Sequence, residues 1–375
     1  MYERQRREAG SLAGLCGDGK IARVRLSVLD LTPVRSDQST RDALAATLRL
    51  AQVADKLGYA RYWLAEHHNM PSVAATSPAV LTAMIAPITS ELRVGSGGVM
   101  LPNHAPLAIA EQFALLEAAY PGRIDLGIGR AAGADPVATV ILRGGRGDRT
   151  NQGLQDFPDN LDDVISLLGN TGVSVRVADR DFVVKSTPHG LTTPEVFVLG
   201  SSMQSAAIAA AKGLPYAFGH HLFGDHTYEA LQHYRSHFVP SKHASQPAAF
   251  ITVNIVVAET RDEAADLIRP YLNLQARSAT GQPPASLELV EDAQDAVLTD
   301  QQHLVAQSEL ARAVLGTPEE ALRQLQDLAL RFDVDELMLN PVASARRGSD
   351  PTTSPGRETT LRLVAEATSP KVNIR

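Results

Sequence analysis

Short apolar runs rich in β-branched residues alternate with longer amphipathic segments from about residue 23 onward, and this alternation constrains the fold most. Runs at 23–30, 61–65, 92–100 and 124–128 read as strands. Segments at 40–57, 77–88 and 107–119 carry apolar residues at helical spacing, and Gly58 follows the first as a C-cap signal. Strands separated by helices predict a parallel sheet.

The regularity breaks at 131–157, a polar stretch with GGRGDR at 144–149 that reads as a long loop. A helix at 160–168 and a hairpin at 173–185 follow. Strands then come at 195–199, 214–218, 250–258 and 335–339, with helices at 203–211, from 262, from 317 and at 359–368. Thr317 is the expected N-cap, with Pro318 at the first helical position. The count, eight strands and eight helices, predicts an α/β fold: one (β/α)₈ TIM barrel with an insertion before the last strand. Residues 277–310 are that insertion, expected as a lid or a partly disordered segment. Residues 1–22 are expected to be a disordered extension ahead of a single domain spanning 23–375.

Composition narrows the function classes. With 44% hydrophobic residues the chain can bury a large core. The net charge is −7 and no Lys/Arg-rich run occurs, so no nucleic-acid partner is expected. Cys16 is the only cysteine, which excludes a disulfide within the chain and a cysteine-based zinc site. No apolar stretch is long enough to span a membrane, and the first twenty residues lack the apolar core of a signal peptide. A cytoplasmic location is expected.

Several strand ends carry polar chemistry. Residues 61–69 (RYWLAEHHN) deliver Glu66, His67 and His68. Histidine is a common metal ligand. Neighbouring residues at a strand end point to opposite faces, however, so His67 and His68 do not readily share one ion, and no metal is expected. A loop histidine satisfied by its neighbours is one reading. The other is a histidine at the barrel mouth acting as acid, base or hydrogen-bond donor. In VGSGGVML (94–101) three glycines interrupt a strand, which calls either for a bulge or for close approach of a flat ligand. Gly200, Ser201 and Ser202 lie between a strand and a helix, where backbone N–H groups and hydroxyls make an anion site; simple N-capping is the bland alternative for a serine there. Arg130, at the end of the fourth strand, can reach the same mouth and pair with phosphate. His220 and His221 follow the sixth strand and either line the mouth or occupy an ordinary loop.

These residues stand in longer motifs: AEHHNMP at 65–71, RVGSGGVMLPNHAPL at 93–107, AEQF at 110–113 and PGRIDLGIGRA at 121–131. LGSSMQSA at 199–206, GLPYAF at 213–218, YRSHFVPS at 234–241 and GTPEE at 316–320 continue the pattern. The chain resembles the bacterial luciferase-like, flavin-dependent monooxygenases, in their single-component branch, from about residue 25 to 367. The resemblance implies a TIM barrel that binds reduced FMN at its C-terminal mouth. It implies reaction with O₂ through a flavin C4a-(hydro)peroxide that oxygenates a small organic substrate. By position, His67 matches the histidine that supports that oxygenated flavin, and Glu66 matches its orienting neighbour. Gly97 and Gly98 match the family's non-proline cis peptide beneath the flavin ring. Arg130, Gly200, Ser201 and Gln204 match phosphate-binding positions, with Ser202 adjacent. His68, His220 and His221 are candidates for the substrate mouth, and the resemblance implies a homodimer.

The chain departs from the branch at GRAAGAD (129–135, where GRAPGTD is usual), at the polar segment after it, and at GHHLF (219–223, where ASHF is usual). All three departures fall at the expected mouth, so they bear on substrate rather than on fold. No GxGxxG follows a strand at a helix start, so reduced flavin is expected from a separate NAD(P)H:flavin reductase. Two other readings share the fold. One is a hydride-transfer enzyme using the deazaflavin F420, its acidic tail held by Arg143, Arg146 and Arg149. The other is a catalytically silent flavin-binding subunit.

Overall fold

The computed structural model describes residues 24–143 and 152–368, so the expected N-terminal extension and the GGRGDR stretch lie outside the described residues. Strands β1 (Arg25–Asp30), β2 (Arg61–Leu64), β3 (Arg93–Met100) and β4 (Ile124–Gly129) pair in order and in parallel. Strands β5 (Val173–Val177) and β6 (Arg180–Val184) form the separate antiparallel hairpin. The barrel continues through β7 (Glu195–Gly200), β8 (Tyr216–Phe218) and β9 (Ala249–Val257). A short β10 (Val314–Gly316) adds to β9 from outside, and β11 (Glu336–Pro341) pairs with both β9 and β1. That last pairing closes eight parallel strands into a (β/α)₈ barrel.

Helices surround the strands, and most bury apolar residues. They are α1 (Thr40–Lys56), α2 (Pro78–Ile85), α3 (Pro106–Ala119), α4 (Pro136–Leu142), α5 (Gln152–Gln155), α6 (Phe157–Leu168) and α7 (Met203–Lys212). After them come α8 (Thr227–Ser236), α9 (Arg261–Ala279), α10 (Val290–Gln294), α11 (Asp300–Arg312), α12 (Pro318–Phe332) and α13 (Pro355–Thr368). Reciprocal capping boxes start α1 at Ser39 and Asp42, and α12 at Thr317 and Glu320.

Two expectations need correction. The stretch 131–157 is not one loop, because it contains α4, α5 and the start of α6. Asp135 nucleates α4 by accepting hydrogen bonds from the amides of Val137 (2.8 Å) and Ala138 (3.0 Å), with Pro136 in the first turn. The insertion 277–310 is not disordered. It comprises the end of α9, then α10 and α11, and α11 packs along α9 from a capping box at Thr299 and Gln302.

The barrel interior is layered. Its middle is apolar: Leu29, Trp63, Phe197, Ala217, Phe250 and Met338 form one buried cluster. The Trp63, Phe197 and Phe250 rings meet edge to face at 4.9–5.9 Å between centroids. Beneath them the N-terminal end is closed by charge. Asp125 is fully buried and accepts from Arg61 (2.7 Å), Arg93 (2.5 Å) and the Trp63 indole (2.8 Å). Arg61 also donates to Glu336 (3.0 Å), which accepts from Ser27 (2.7 Å) and pairs with Arg25 (3.0 Å).

Strands β3 and β4 approach too closely for side chains at some positions. A Cβ on Gly95 would lie 2.1 Å from the Asp125 carbonyl oxygen, and one on Gly127 would lie 2.2 Å from that of Ser96. The register of the pair shifts between Gly97 and Val99, and the Gly97–Gly98 peptide is cis. Of the two readings of these glycines, the bulge with tight strand packing accounts for Gly95 and Gly127 without a ligand.

Asp125→Asn removes the buried countercharge shared by two guanidinium groups, leaving Arg61 with Glu336 and Arg93 with the half-exposed Glu195. It is expected to cost about 3 kcal/mol or more of unfolding free energy in urea titration. A cost below about 1 kcal/mol, the value of a surface pair, would contradict this description.

Candidate active site

The C-terminal ends of the strands open on one face, and the polar strand ends meet there. Asp30, at the end of β1, is fully buried. It pairs with Arg357 at 2.5 Å and accepts from the Tyr62 hydroxyl and the Thr32 amide. Arg357 also donates to the Pro341 carbonyl (3.0 Å), so this ion pair binds α13 to the ends of β1 and β11.

Glu66 sits just beyond β2 and is buried. One carboxylate oxygen accepts from the rings of His104 (2.8 Å) and His68 (3.0 Å), and the other accepts from the Met100 amide (3.0 Å). It therefore fastens the loop after β2 to the end of β3. Burial alone would raise its pKa, but the bonds from His104, His68 and Met100 outweigh burial and hold it below the ordinary value. An ionised Glu66 assigns the facing ring nitrogens of His68 and His104 as donors.

His67 turns away from this cluster. Its amide donates to the Ala75 carbonyl (2.8 Å), while its Nδ1 is buried with no hydrogen-bond partner among the described residues. Burial lowers its pKa, with Glu66 opposing and His68 adding to the effect, so the ring is neutral at pH 7. An unpartnered buried ring nitrogen is unusual and calls for an occupant. His221 lies close enough for His67 to help depress its pKa to about 3, after burial as the main cause, and it bonds Thr252 at 2.5 Å.

Arg130 follows β4 directly and is half-buried, with no hydrogen bond or ion pair among the described residues. Gly129 lies opposite Leu199 in the parallel register, which places Arg130 beside Gly200 at the ends of adjacent strands. Gly200 is required sterically, since a Cβ there would fall 2.3 Å from the Ser205 hydroxyl. Ser202 is the N-cap of α7. Its hydroxyl accepts from the Ser205 amide, and the Ser205 hydroxyl accepts from the Ser202 amide, both at 3.3 Å. The bland N-capping reading thus applies to Ser202. The amides of Met203 and Gln204 take no such partner among the described residues, and they stand at the positive end of a ten-residue helix.

The remaining candidates separate. His68 serves Glu66. His220 is packed inside: it is 7% exposed, bonds Thr227 at 2.7 Å and lies against the Phe332 ring at 5.1 Å. Arg143 lies among polar loop residues, with its Nε 3.4 Å from the Asn103 oxygen; Arg146 and Arg149 fall outside the described residues. The sequence reading missed His104 as a partner of Glu66, although it stood in the LPNHAP motif, and it missed Thr252 beside His221.

Residues 24–332 match the family model described as luciferase-like monooxygenase. The chain belongs to the luciferase-like monooxygenase family. A luciferase-like monooxygenase of Escherichia coli (strain K12) is 37% identical over 322 residues, 84% of this chain and 91% of that protein. The crystal structure of apo-MsnO8 superposes with a TM-score of 0.79 at 32% identity, covering 94% of this chain and all of that one. The oxygenating constituent of 3,6-diketocamphane monooxygenase from Pseudomonas putida, solved with FMN, shares the fold at a TM-score of 0.66 and 17% identity, covering 94% of this chain and 100% of that one. This luciferase-like monooxygenase is accordingly an oxidoreductase. Among its described residues no helix is long and apolar enough to cross a membrane, and no group of three metal-ligating side chains converges.

The histidines of this luciferase-like monooxygenase make its fold acid-sensitive. Burial, reinforced by Arg331 and Arg312 and opposed by Asp225, lowers the pKa of His220 from 6.5 to about 4. A depressed value means that the native state resists protonation. Stability is therefore complete above pH 6.5 and falls as pH drops toward 4. Glu66 adds its own loss only below its ordinary 4.5. Urea unfolding should show this decline in the wild type and a shallower one in His220→Asn. A wild-type profile flat between those pH values would contradict the assignment.

Proposed function

We propose that this chain is a flavin-dependent monooxygenase that uses reduced FMN and O₂ to oxygenate a small organic substrate. One observation carries the reading: Arg130, without a partner among the described residues, stands beside Gly200 at the open N-terminus of α7. A cation next to free helix-terminal amides suits a phosphate monoester. The FMN complex of a fold relative is consistent with that cofactor.

Reduced FMN supplies the two electrons with which O₂ is activated. The protein's own groups do the rest. Arg130, the Ser201 hydroxyl and the Met203 and Gln204 amides hold the phosphate, with the Gln204 side chain at the same helix end. Ser202 acts one step back, by fixing the start of that helix. Gly97 and Gly98 carry no side chain because a Cβ at either would meet protein atoms, Leu29 at 2.7 Å or the Gly127 carbonyl oxygen at 2.8 Å, so a planar ring would lie against this backbone rather than fill the place of a missing side chain. His67, neutral at pH 7, holds or accepts a proton at Nδ1, where a bound reactant would supply the hydrogen-bond partner this buried nitrogen lacks among the described residues. Glu66 positions His67 by anchoring the loop that carries it. Reduced flavin comes from a separate NAD(P)H:flavin reductase, since no nicotinamide-binding motif lies in the chain.

The test is an anaerobic titration with FMNH₂ followed by admission of air, with absorbance and oxygen uptake recorded together. The wild type should bind FMNH₂ and give a transient absorbance distinct from both free redox forms. His67→Ala should keep FMNH₂ binding and lose the transient. Arg130→Ala should weaken binding roughly tenfold to a hundredfold, the effect of losing a charged hydrogen bond. Tight binding of F420 in place of FMNH₂, with no oxygen uptake, would move the enzyme to hydride transfer. FMNH₂ binding without any effect on its reaction with oxygen would make the chain a silent subunit.

A further inference from the structure

A cavity of about 350 Å³ opens at the barrel mouth on the side away from Arg130 and Gly200. That volume lies within the range of small-molecule sites. Leu31 comes from the end of β1, Met70 and Val73 from the loop after His67, Leu274 from α9, and Pro283 and Leu287 from the segment linking α9 to α10. This linking segment is held in place: Leu287 donates its amide to the Val34 carbonyl (2.9 Å), and the Ser36 amide donates to the Leu287 carbonyl (2.8 Å). The Ser344 hydroxyl bonds the Glu288 carbonyl at 2.7 Å. The cavity is therefore preformed, and its roof is part of the 277–310 insertion.

Three charged residues line the wall, and each is already bonded within the protein. Arg277 pairs with Glu288 at 2.5 Å. Asp135 accepts from Asn69 (2.8 Å) and from two amides of α4. An anionic or cationic guest would find no free countercharge, and burying an unpaired charge is costly. Among the uncharged polar residues of the wall, Tyr271 carries a hydroxyl held from behind. Tyr271 is fixed by a chain in which Asn340 donates to Asn254 and Asn254 donates to the Tyr271 oxygen, each at 2.8 Å. The hydroxyl proton is left facing a Glu309 oxygen at 3.5 Å, the outer limit for a hydrogen bond. Glu309 itself is engaged by Arg312. The Tyr271 proton can turn to a nearer acceptor at small cost, and burial keeps the phenol protonated at neutral pH.

We propose that this cavity binds an uncharged, largely apolar small molecule with one hydrogen-bond acceptor, which takes the Tyr271 hydroxyl proton. The inference rests on the reading of the mouth as the oxygenation site and names the substrate class for it. Tyr271 orients the guest, and the apolar walls supply the binding free energy in proportion to the area they cover.

Calorimetric titration of the full chain, with and without FMN, tests the class using 2-octanone and octanoate, which share chain length and differ in charge. The ketone should bind at least about tenfold more tightly than the carboxylate at pH 7. Tyr271→Phe should weaken ketone binding about threefold to tenfold, the worth of one neutral hydrogen bond. Leu274→Trp should abolish it by filling the cavity. Ala285→Trp, on the exposed part of the roof, replaces that variant if it does not fold. Octanoate binding as tightly as the ketone would overturn the proposal. So would ketone binding unchanged in both the Tyr271 variant and the folded tryptophan variant, or its absence in protein that binds FMN. Ketone binding that follows these expectations in protein that fails to bind FMN would support the cavity assignment and sink the functional reading alone.

Discussion

Asp125 is the point on which the barrel turns. From β4 it accepts from Arg61 and Trp63 on β2 and from Arg93 on β3, and Arg61 carries the web on to Glu336 of β11. Five adjacent strands, counting β1 through Ser27, thus share one buried ionic network at the closed end. Buried ion pairs are poor sources of net stability, because desolvation offsets most of the attraction. They do penalise wrong registers. A slip of one residue would turn Asp125 out of the barrel and take its charge away from Arg61 and Arg93. The same network fixes the height at which β2, β3 and β4 end, and so where Glu66, Gly97 and Arg130 emerge.

The two ends of the barrel show opposite accounting of polar groups. At the N-terminal end the buried charges find partners within the protein. At the C-terminal mouth some groups have no partner among the described residues: the Nδ1 of His67, the guanidinium of Arg130 and the first amides of α7. Leaving a buried polar atom unsatisfied costs roughly 1–3 kcal/mol, so such a cluster is held by the surrounding fold rather than by its own contacts. Around it the supports are tied down. Glu66 is held by His104, His68 and the Met100 amide, Ser202 caps its helix, and Asp30 locks α13 to the strand ends.

The fold was legible because buried parallel strands read as continuous apolar runs and their helices as amphipathic stretches with capping signals. RVRLSVLD and RYWLA needed no tertiary information. The ionic network did need it, since Arg61 and Glu336 lie 275 residues apart and meet only once β11 closes on β1. Helix α4 escaped notice because its Asp135–Pro136 start is embedded in glycines and arginines. Helix α11 escaped because its surface is mostly polar, although Thr299 and Gln302 form a recognisable capping pair. For the site, the strand ends bearing Glu66, His67, Arg130 and Gly200 were readable from position alone. What each side chain does was not. Ser202 caps a helix and His220 bonds Thr227 beside Phe332, contacts that only the folded chain creates, and Tyr271 is held in place by Asn254 and Asn340 from two barrel strands.

A crystal structure of the chain soaked with FMN tests the central claim most directly, because it reports position independently of turnover. The phosphate should lie between the Arg130 guanidinium and the Met203 and Gln204 amides, with the ring at the Gly97–Gly98 lip and His67 Nδ1 facing it. A phosphate bound elsewhere on the mouth, or a ring lodged in the apolar cavity beside Tyr271, would contradict the account.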